Sequence, residues 1–185
     1  MRIGFILLTL ILTFFSTAYC FAEQVYWGIE YWQESVSGPN QVFILKVDLQ
    51  AKGIRPFVTP ELNGSLLTTS KFVSNYGVQV GINTAFFDMG GTNKAIGYFA
   101  SDGVPYSNHI PDDSYPTMGF DQQNHYLTGI ESRSAMYNAS SGSHLLVVNG
   151  QAIDNGTGSF SKTTHPRTAV GIDQSGRYFF MVVVD

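Results

Sequence analysis

One segment near the end of the chain limits the possible folds most, the run Tyr-Phe-Phe-Met-Val-Val-Val at residues 178–184. Side chains of a strand alternate between the two faces of a sheet, so a strand that is apolar throughout needs cover on both faces. The run therefore predicts a central strand, paired with residues 168–172 across a turn at 173–176. Because Asp185 follows with no further element to cover this strand, we expect the natural domain to continue.

Turn-forming dipeptides divide the rest of the chain into short strands. Asp102-Gly103 lies between apolar runs at residues 96–100 and 104–106, and Asn149-Gly150 between those at 145–148 and 151–153. Both dipeptides are typical of tight hairpin turns. Further strands are predicted at residues 41–49, 54–58, 78–82, 117–120 and 125–130.

One short helix is predicted at residues 66–77, with Thr68, Thr69 or Ser70 as its N-cap and Gly77 as its C-cap. Few helices and many hairpins indicate an α+β fold, in which helices pack on a twisted, mainly antiparallel sheet.

The first 22 residues have the pattern of a secretory signal peptide. Arg2 provides a positive start, residues 3–15 form an apolar run too short to span a bilayer stably, and small residues precede a predicted cleavage after Ala22. Residues 23–185 would then form one exported domain without stable membrane insertion. Two alternatives remain, lipidation of Cys20, which the bulky Tyr19 disfavours, and an uncleaved anchor helix.

Composition argues against several classes of ligand. The formal net charge is −4 with no basic run, which does not suit nucleic acid. The four histidines are too scattered in sequence to show the spacing of a metal site, and we predict neither a metal nor a cofactor. Cys20 is the only cysteine and would leave with the signal peptide, so the domain must be stabilised by burial of its apolar residues.

A first group of candidate site residues follows the predicted strand at residues 78–82. Asn83 stands at its end, Phe86 and Phe87 follow, and Asp88 precedes two glycines. Asn and Asp bind hydroxyl groups and an aromatic ring packs on a sugar, so the segment fits one wall of a sugar site. The alternative is a strand that leaves the core through an Asx turn, with both phenylalanines buried.

A second group lies in His-Pro-Arg-Thr-Ala-Val-Gly at residues 165–171. Pro166 fixes its own φ and keeps His165 extended, so Arg167 enters the predicted hairpin from a rigid approach. A guanidinium beside apolar strands needs a carboxylate or an anionic ligand, and its planar fork suits phosphate. The residues alone leave a structural ion pair and an anion site equally open.

Three blocks occur in order: Gly-Ile-Asn-Thr-Ala-Phe-Phe-Asp at 81–88, Ile-Gly at 96–97 with Ser-Asp-Gly at 101–103, and Pro-Arg-Thr-Ala-Val-Gly-Ile-Asp at 166–173, ending in Val-Val-Val-Asp185. Their order and spacing resemble the phosphodiester glycosidase family. That family includes a mammalian enzyme that removes N-acetylglucosamine from mannose 6-phosphate, and secreted bacterial relatives. The chain departs from the family's Asn-Gly-Gly-Phe-Phe pattern and lacks its later Asp-Gly-Gly-Gly-Ser segment.

The resemblance implies hydrolysis of a sugar 1-phosphodiester of the N-acetylglucosamine type, or action on exopolysaccharide or envelope glycan. Arg167 is then expected to hold the departing phosphate, Asn83 to contact sugar or phosphate oxygens, and Asp88 to have an orienting or acid/base role. The carboxylate near the oxocarbenium-like transition state is expected to be Asp185 or a residue beyond it. The further substrate contacts implied are Phe86, Phe87, His165 and Thr168. A noncatalytic glycan-binding module and a purely structural secreted domain are the alternatives, and the oligomeric state is not indicated.

Overall fold

A computed structural model of the chain describes residues 22–36, 40–62, 65–106, 114–154 and 162–185. Antiparallel sheets dominate these ranges, with one α-helix and one 3₁₀ helix, which confirms the predicted α+β class. The predicted signal peptide lies outside the described residues except for Ala22. Within the described part of the chain, no helix has the length and apolar character needed to cross a membrane.

The α-helix follows the third strand, and the 3₁₀ helix lies between β7 and β8. In chain order the elements are β1 Glu23–Tyr26, β2 Ile29–Ser35, β3 Gln41–Asp48, α1 Thr69–Tyr76, β4 Phe99–Ser101, β5 Val104–Tyr106, β6 Thr117–Phe120, β7 Tyr126–Thr128, the 3₁₀ helix Ile130–Ala135, β8 Asn138–Ser141, β9 Val147–Val148, β10 Gln151–Ala152, β11 Arg167–Ile172 and β12 Tyr178–Val184.

The first sheet has the strand order β1-β2-β3-β12-β11. The apolar strand β12 is a central strand, as predicted, with Met181 opposite Leu45 of β3 on one side and Val170 of β11 on the other. Phe179 is its buried residue, and the other positions of the strand are partly buried. Complete cover of both faces, which the composition of this strand predicted, is not seen within the described residues.

The second sheet has the order β5-β4-β8-β6-β7, and β9 and β10 form a separate two-stranded hairpin. The hairpin turns form where the dipeptides predicted them. Asp102 and Gly103 have φ of 48° and 81°, and Asn149 and Gly150 have φ of 51° and 75°. Two successive residues with positive φ match the twist of the flanking strands, and Asn, Asp and Gly tolerate this conformation best.

The two sheets meet through an apolar cluster. Ile29, Val47 and Phe179 from the first sheet, with Leu49 just after β3, pack against Phe120 of the second sheet. The rings of Phe120 and Phe179 meet edge to face with centroids 5.3 Å apart, a favourable arrangement for aromatic pairs. The sheets are therefore held face to face at this cluster.

The predictions of strands at residues 54–58 and 78–82 are wrong, because neither segment pairs with a strand of a sheet. Side chains of the second sheet bind the backbone of the first of them instead. The amide oxygen of Asn138 accepts hydrogen bonds from the backbone N–H of Val58 at 3.1 Å and of Asp102 at 3.2 Å. The hydroxyl of Ser101 donates to the carbonyl of Val58 at 2.7 Å. Polar groups that a sheet would satisfy are satisfied here by partners distant in the sequence.

Two more side chains hold the same irregular segment. The amide of Asn124 donates to the carbonyls of Leu49 at 3.1 Å and Ile54 at 2.8 Å, and the hydroxyl of Tyr106 donates to the carbonyl of Thr59. These contacts fasten the chain between β3 and α1 to the second sheet.

The predicted helix is confirmed as α1. Of the three N-cap residues considered, Thr68 serves, since its hydroxyl accepts a hydrogen bond from the N–H of Lys71 at 3.3 Å. Gly77 ends the helix in the left-handed conformation, with φ of 63°. The helix packs through Phe72 and Tyr76 against Phe57, with ring centroids 5.9 and 5.3 Å apart.

A forked ion pair joins the end of β3 to the start of β12. Arg177 donates from Nε to Oδ1 of Asp48 at 2.9 Å and from Nη2 to Oδ2 at 2.7 Å. The hydrogen bond from Arg177 is the main reason that the pKa of Asp48 lies below its ordinary value. The pair therefore favours the folded state only while Asp48 is ionised.

Replacing Asn138 tests the fastening of the irregular segment. Asn138→Ala leaves the N–H groups of Val58 and Asp102 without their acceptor, which should lower the free energy of unfolding by about 1–3 kcal/mol. Urea unfolding measures the change, and Asn75→Ala on the exposed side of α1 is the matched control. Equal stability of the two variants would contradict the role given to Asn138.

Replacing Asp48 tests the ion pair through pH. The folded pKa of Asp48 is depressed, so the pair contributes stability above the ordinary pKa of 3.8 and loses it as the pH falls through the lower, folded value. Asp48→Asn should therefore cost up to about 1 kcal/mol near neutral pH. The difference in unfolding free energy between wild type and variant should shrink below pH 3.8. A difference that stays constant down to pH 2 would count against this ion pair.

Candidate functional site

A cavity of about 800 Å³ opens between the two sheets. Its size suits a small ligand, since binding pockets commonly enclose about 300–1,000 Å³. Apolar side chains of both sheets line it, among them Val47, Met181 and Phe120. Much of the remaining wall comes from two stretches without regular secondary structure, residues 53–62 before α1 and residues 77–87 after it. The cavity is therefore a candidate site for a small ligand.

The first predicted group lies at this cavity. Asn83, Phe86 and Phe87 all line it, and Asn83 is exposed. Phe86 and Phe87 are 41% and 39% exposed, so the alternative in which both are buried in the core does not hold. Both residues are therefore partly exposed at the cavity wall.

The wall that carries Asn83 is anchored on both sides. The hydroxyl groups of Thr84 and Ser140 are 2.7 Å apart and share a hydrogen bond, which ties the wall to β8. A Cβ at Gly81 would lie 2.9 Å from Cγ2 of Val73 in α1, so glycine is needed for this close packing. Thr84 stands where the family pattern has glycine, and here it supplies an anchor.

Asp88 closes a loop beside the cavity and does not line it. Its Oδ1 accepts a hydrogen bond from the N–H of Gly90 at 2.7 Å, and its Oδ2 accepts one from the hydroxyl of Thr92 at 2.8 Å. Its own N–H donates to the carbonyl of Lys94 at 2.8 Å. The carboxylate thus stabilises the turn that brings residues 94–96 back beside residues 86–88, where Phe87 and Ala95 form an isolated β-bridge.

The second predicted group lies at one end of the first sheet. Arg167 is the first residue of β11 and pairs with Val184 of β12. Asp185 follows Val184 in the chain, and its backbone exchanges two hydrogen bonds with Gln41 of β3. The guanidinium of Arg167 donates to the carbonyls of Thr163 at 3.0 Å and of Pro166 at 3.3 Å.

The two groups are not brought together in the cavity. Val170 and Ile172 pack towards the core, so strand alternation places Arg167 on the opposite face of β11 and Thr168 on the core face. His165 is exposed. Among the described residues, the lining includes none of His165, Arg167, Thr168 and Asp185.

Sequence reasoning missed several charged or polar residues of the lining. Glu61, Lys94, Asp102 and Tyr106 contribute to it. Burial raises the pKa of the Tyr106 phenol, and the charge of Glu61 raises it further. Lys94 could have been noticed because it lies between the first two family-like blocks. Glu61 carries no such signal, since it enters the wall only through folding.

The described residues contain no group of three His, Cys, Asp or Glu side chains placed to hold a metal ion.

Comparison with known proteins adds information on family and fold. The model of the phosphodiester glycosidase family matches residues 76–185. Among solved structures, a hypothetical protein from Synechocystis is similar, with a TM-score of 0.62 and 13% sequence identity. The alignment covers 85% of this chain and 50% of that one, so this chain spans about half the length of its structural relative. At this identity the likeness shows the fold alone.

Among the curated proteins, none matches the chain. The family match covers more than half of the sequence and includes the loop that carries the aromatic cavity wall. The chain belongs to the phosphodiester glycosidase family.

Proposed function

We propose that this protein hydrolyses a sugar 1-phosphodiester of the N-acetylglucosamine type, free or within an envelope glycan, after export from the cytoplasm. The observation that carries the proposal is the cavity wall formed by Asn83, Phe86 and Phe87, which lie inside the family match. Two partly exposed rings beside an amide suit a sugar ring and its hydroxyl groups. The signal-like pattern of residues 1–22 supports export.

In the proposed reaction, water replaces the phosphate ester at the anomeric carbon. The bond from that carbon to the phosphate oxygen breaks, a bond to the water oxygen forms, and the water loses one proton to the solvent. The departing phosphate ester is a weak base, so stabilisation of its charge matters more than protonation by a strong acid. Asn83 contacts oxygens of the sugar or the phosphate. An oxocarbenium-like transition state also benefits from a nearby carboxylate.

Asp88 has an orienting role in this proposal. Both of its carboxylate oxygens accept hydrogen bonds within the loop that follows Phe87. Those bonds hold the loop beside the aromatic wall in shape and orient the Asp88 carboxylate.

Arg167 and Asp185 retain the phosphate and carboxylate roles as hypotheses separate from the cavity wall. Val170 is the residue of β11 that lines the cavity, and neither Arg167 nor Asp185 is part of the lining. Arg167 is three residues from Val170, or about 10 Å along a strand. A substrate would have to extend along the end of the sheet to meet both groups.

Glycan binding without turnover is a second candidate function. One observation favours it: neither Asp88 nor Asp185, the two carboxylates assigned to the reaction, belongs to the described cavity lining. A binding module would need the aromatic wall and Asn83 but no carboxylate at the anomeric carbon.

Asn83→Ala tests the cavity wall. With a chromogenic aryl diester of N-acetylglucosamine 1-phosphate, kcat/KM should fall at least about tenfold, the effect of ~1.4 kcal/mol of lost transition-state stabilisation. Asn75→Ala on α1 should leave turnover unchanged. Turnover by the wild type that is insensitive to Asn83→Ala would remove this wall from the mechanism. Binding of the diester without turnover would favour the binding module.

Arg167→Ala tests the hypothesis for the phosphate separately. If the guanidinium stabilises the departing phosphate, kcat should fall by about a hundredfold or more while the protein stays folded, which urea unfolding measures. Arg167→Lys, which retains the charge but not the fork, should recover part of the rate. An unchanged kcat in Arg167→Ala would restrict the site to the cavity and its loop.

A further inference from the structure

Two side chains with a full positive charge at neutral pH are found among the described residues that line the cavity, Arg55 and Lys94. Arg55 is compensated, since its Nη2 lies 3.2 Å from a carboxylate oxygen of Asp102. Its guanidinium also lies over the ring of Phe57, 5.7 Å from the centroid. The charge of Arg55 is therefore already paired with a carboxylate of the protein.

Lys94 differs from Arg55 in this respect. No hydrogen bond or ion pair joins its ammonium group to another described side chain, although the residue is partly buried. Lys46, the other lysine that is partly buried in the described structure, has a partner in Glu30 at 3.3 Å. An ammonium that lines a cavity and has no partner among the described side chains can attract the anionic part of a ligand.

The backbone around Lys94 is well held. Its carbonyl accepts the N–H of Asp88 at 2.8 Å, and its N–H donates to the hydroxyl of Thr92 at 3.3 Å. The next residue, Ala95, bridges to Phe87, and the N–H of Ile96 donates to the carbonyl of Phe86 at 2.9 Å. The aromatic wall and the ammonium therefore belong to one loop whose two arms are joined by hydrogen bonds.

We propose that Lys94 forms a phosphate subsite in the cavity, beside the sugar wall of Asn83, Phe86 and Phe87. The inference rests on the proposed function and deepens it, because it names the group that meets the anionic part of the substrate. An ammonium on a flexible stem binds phosphate as a point charge and does not need the planar fork of arginine. One loop then recognises both halves of a sugar phosphate.

Binding measured by calorimetry tests the subsite with two probes, N-acetylglucosamine 1-phosphate and neutral N-acetylglucosamine. Lys94→Met keeps the length of the side chain and removes its charge. Affinity for the sugar phosphate should fall at least about tenfold in this variant, whereas affinity for the neutral sugar should change less than about twofold. Lys94→Arg should bind the sugar phosphate within about threefold of the wild type.

Lys71→Met is the matched control, because Lys71 is exposed on α1 and lies outside the cavity lining. It should bind both probes as the wild type does. Equal weakening of both probes in Lys94→Met would show a structural effect and overturn the subsite, as would unchanged binding of the sugar phosphate. Absence of sugar phosphate binding by the wild type would overturn it as well.

Turnover of the aryl diester separates failure of the subsite from failure of the proposed function. A wild type that binds the sugar phosphate through Lys94 but does not hydrolyse the diester would support the subsite and contradict the hydrolase. A wild type that hydrolyses the diester, with kcat and KM unaffected by Lys94→Met, would support the hydrolase and overturn the subsite.

Discussion

The amide side chain of Asn138 is the contact on which the arrangement of the cavity wall depends. It is 3% exposed, and its oxygen accepts from the backbone of both Val58 and Asp102. Val58 belongs to a segment with no strand beside it, so its polar groups need partners from the second sheet. The same segment lines the cavity between the sheets, so these bonds hold part of the cavity wall in place.

The same principle shapes the site. The cavity wall after Gly81 is held by a hydroxyl pair, Thr84 with Ser140, and by the two hydrogen bonds that the Asp88 carboxylate accepts. Local polar contacts of this kind fix the backbone of an irregular loop while its large side chains stay partly exposed. Phe86 and Phe87 thus stay partly exposed beside the cavity instead of being buried in the core. The chemistry proposed for this family member depends on that exposure.

Local sequence signals predicted much of the secondary structure. The hairpin at Asp102-Gly103, the N-cap at Thr68 and the central position of β12 all follow from the conformational preferences of a few neighbouring residues or from strand alternation. The apolar runs at residues 54–58 and 78–82 were wrongly predicted to be strands. Hydrophobic content indicates that a segment packs against the core, but it does not indicate which groups its backbone hydrogen-bonds to. Asn138 and Asn124, which hold the first of these runs, are distant from it in the sequence.

For the site, the sequence by itself determined the family and identified Asn83 and the two aromatic residues after it as candidates for the wall of a sugar site. Tertiary structure alone decided which charged groups share a cavity with them. Lys94 enters the lining because the loop turns back at Asp88, and Arg167 stays outside because strand pairing and alternation place it at the far end and on the other face of β11. The physical reason is that composition and spacing specify local conformation, whereas proximity between charges depends on hydrogen bonds and packing among residues far apart in the chain.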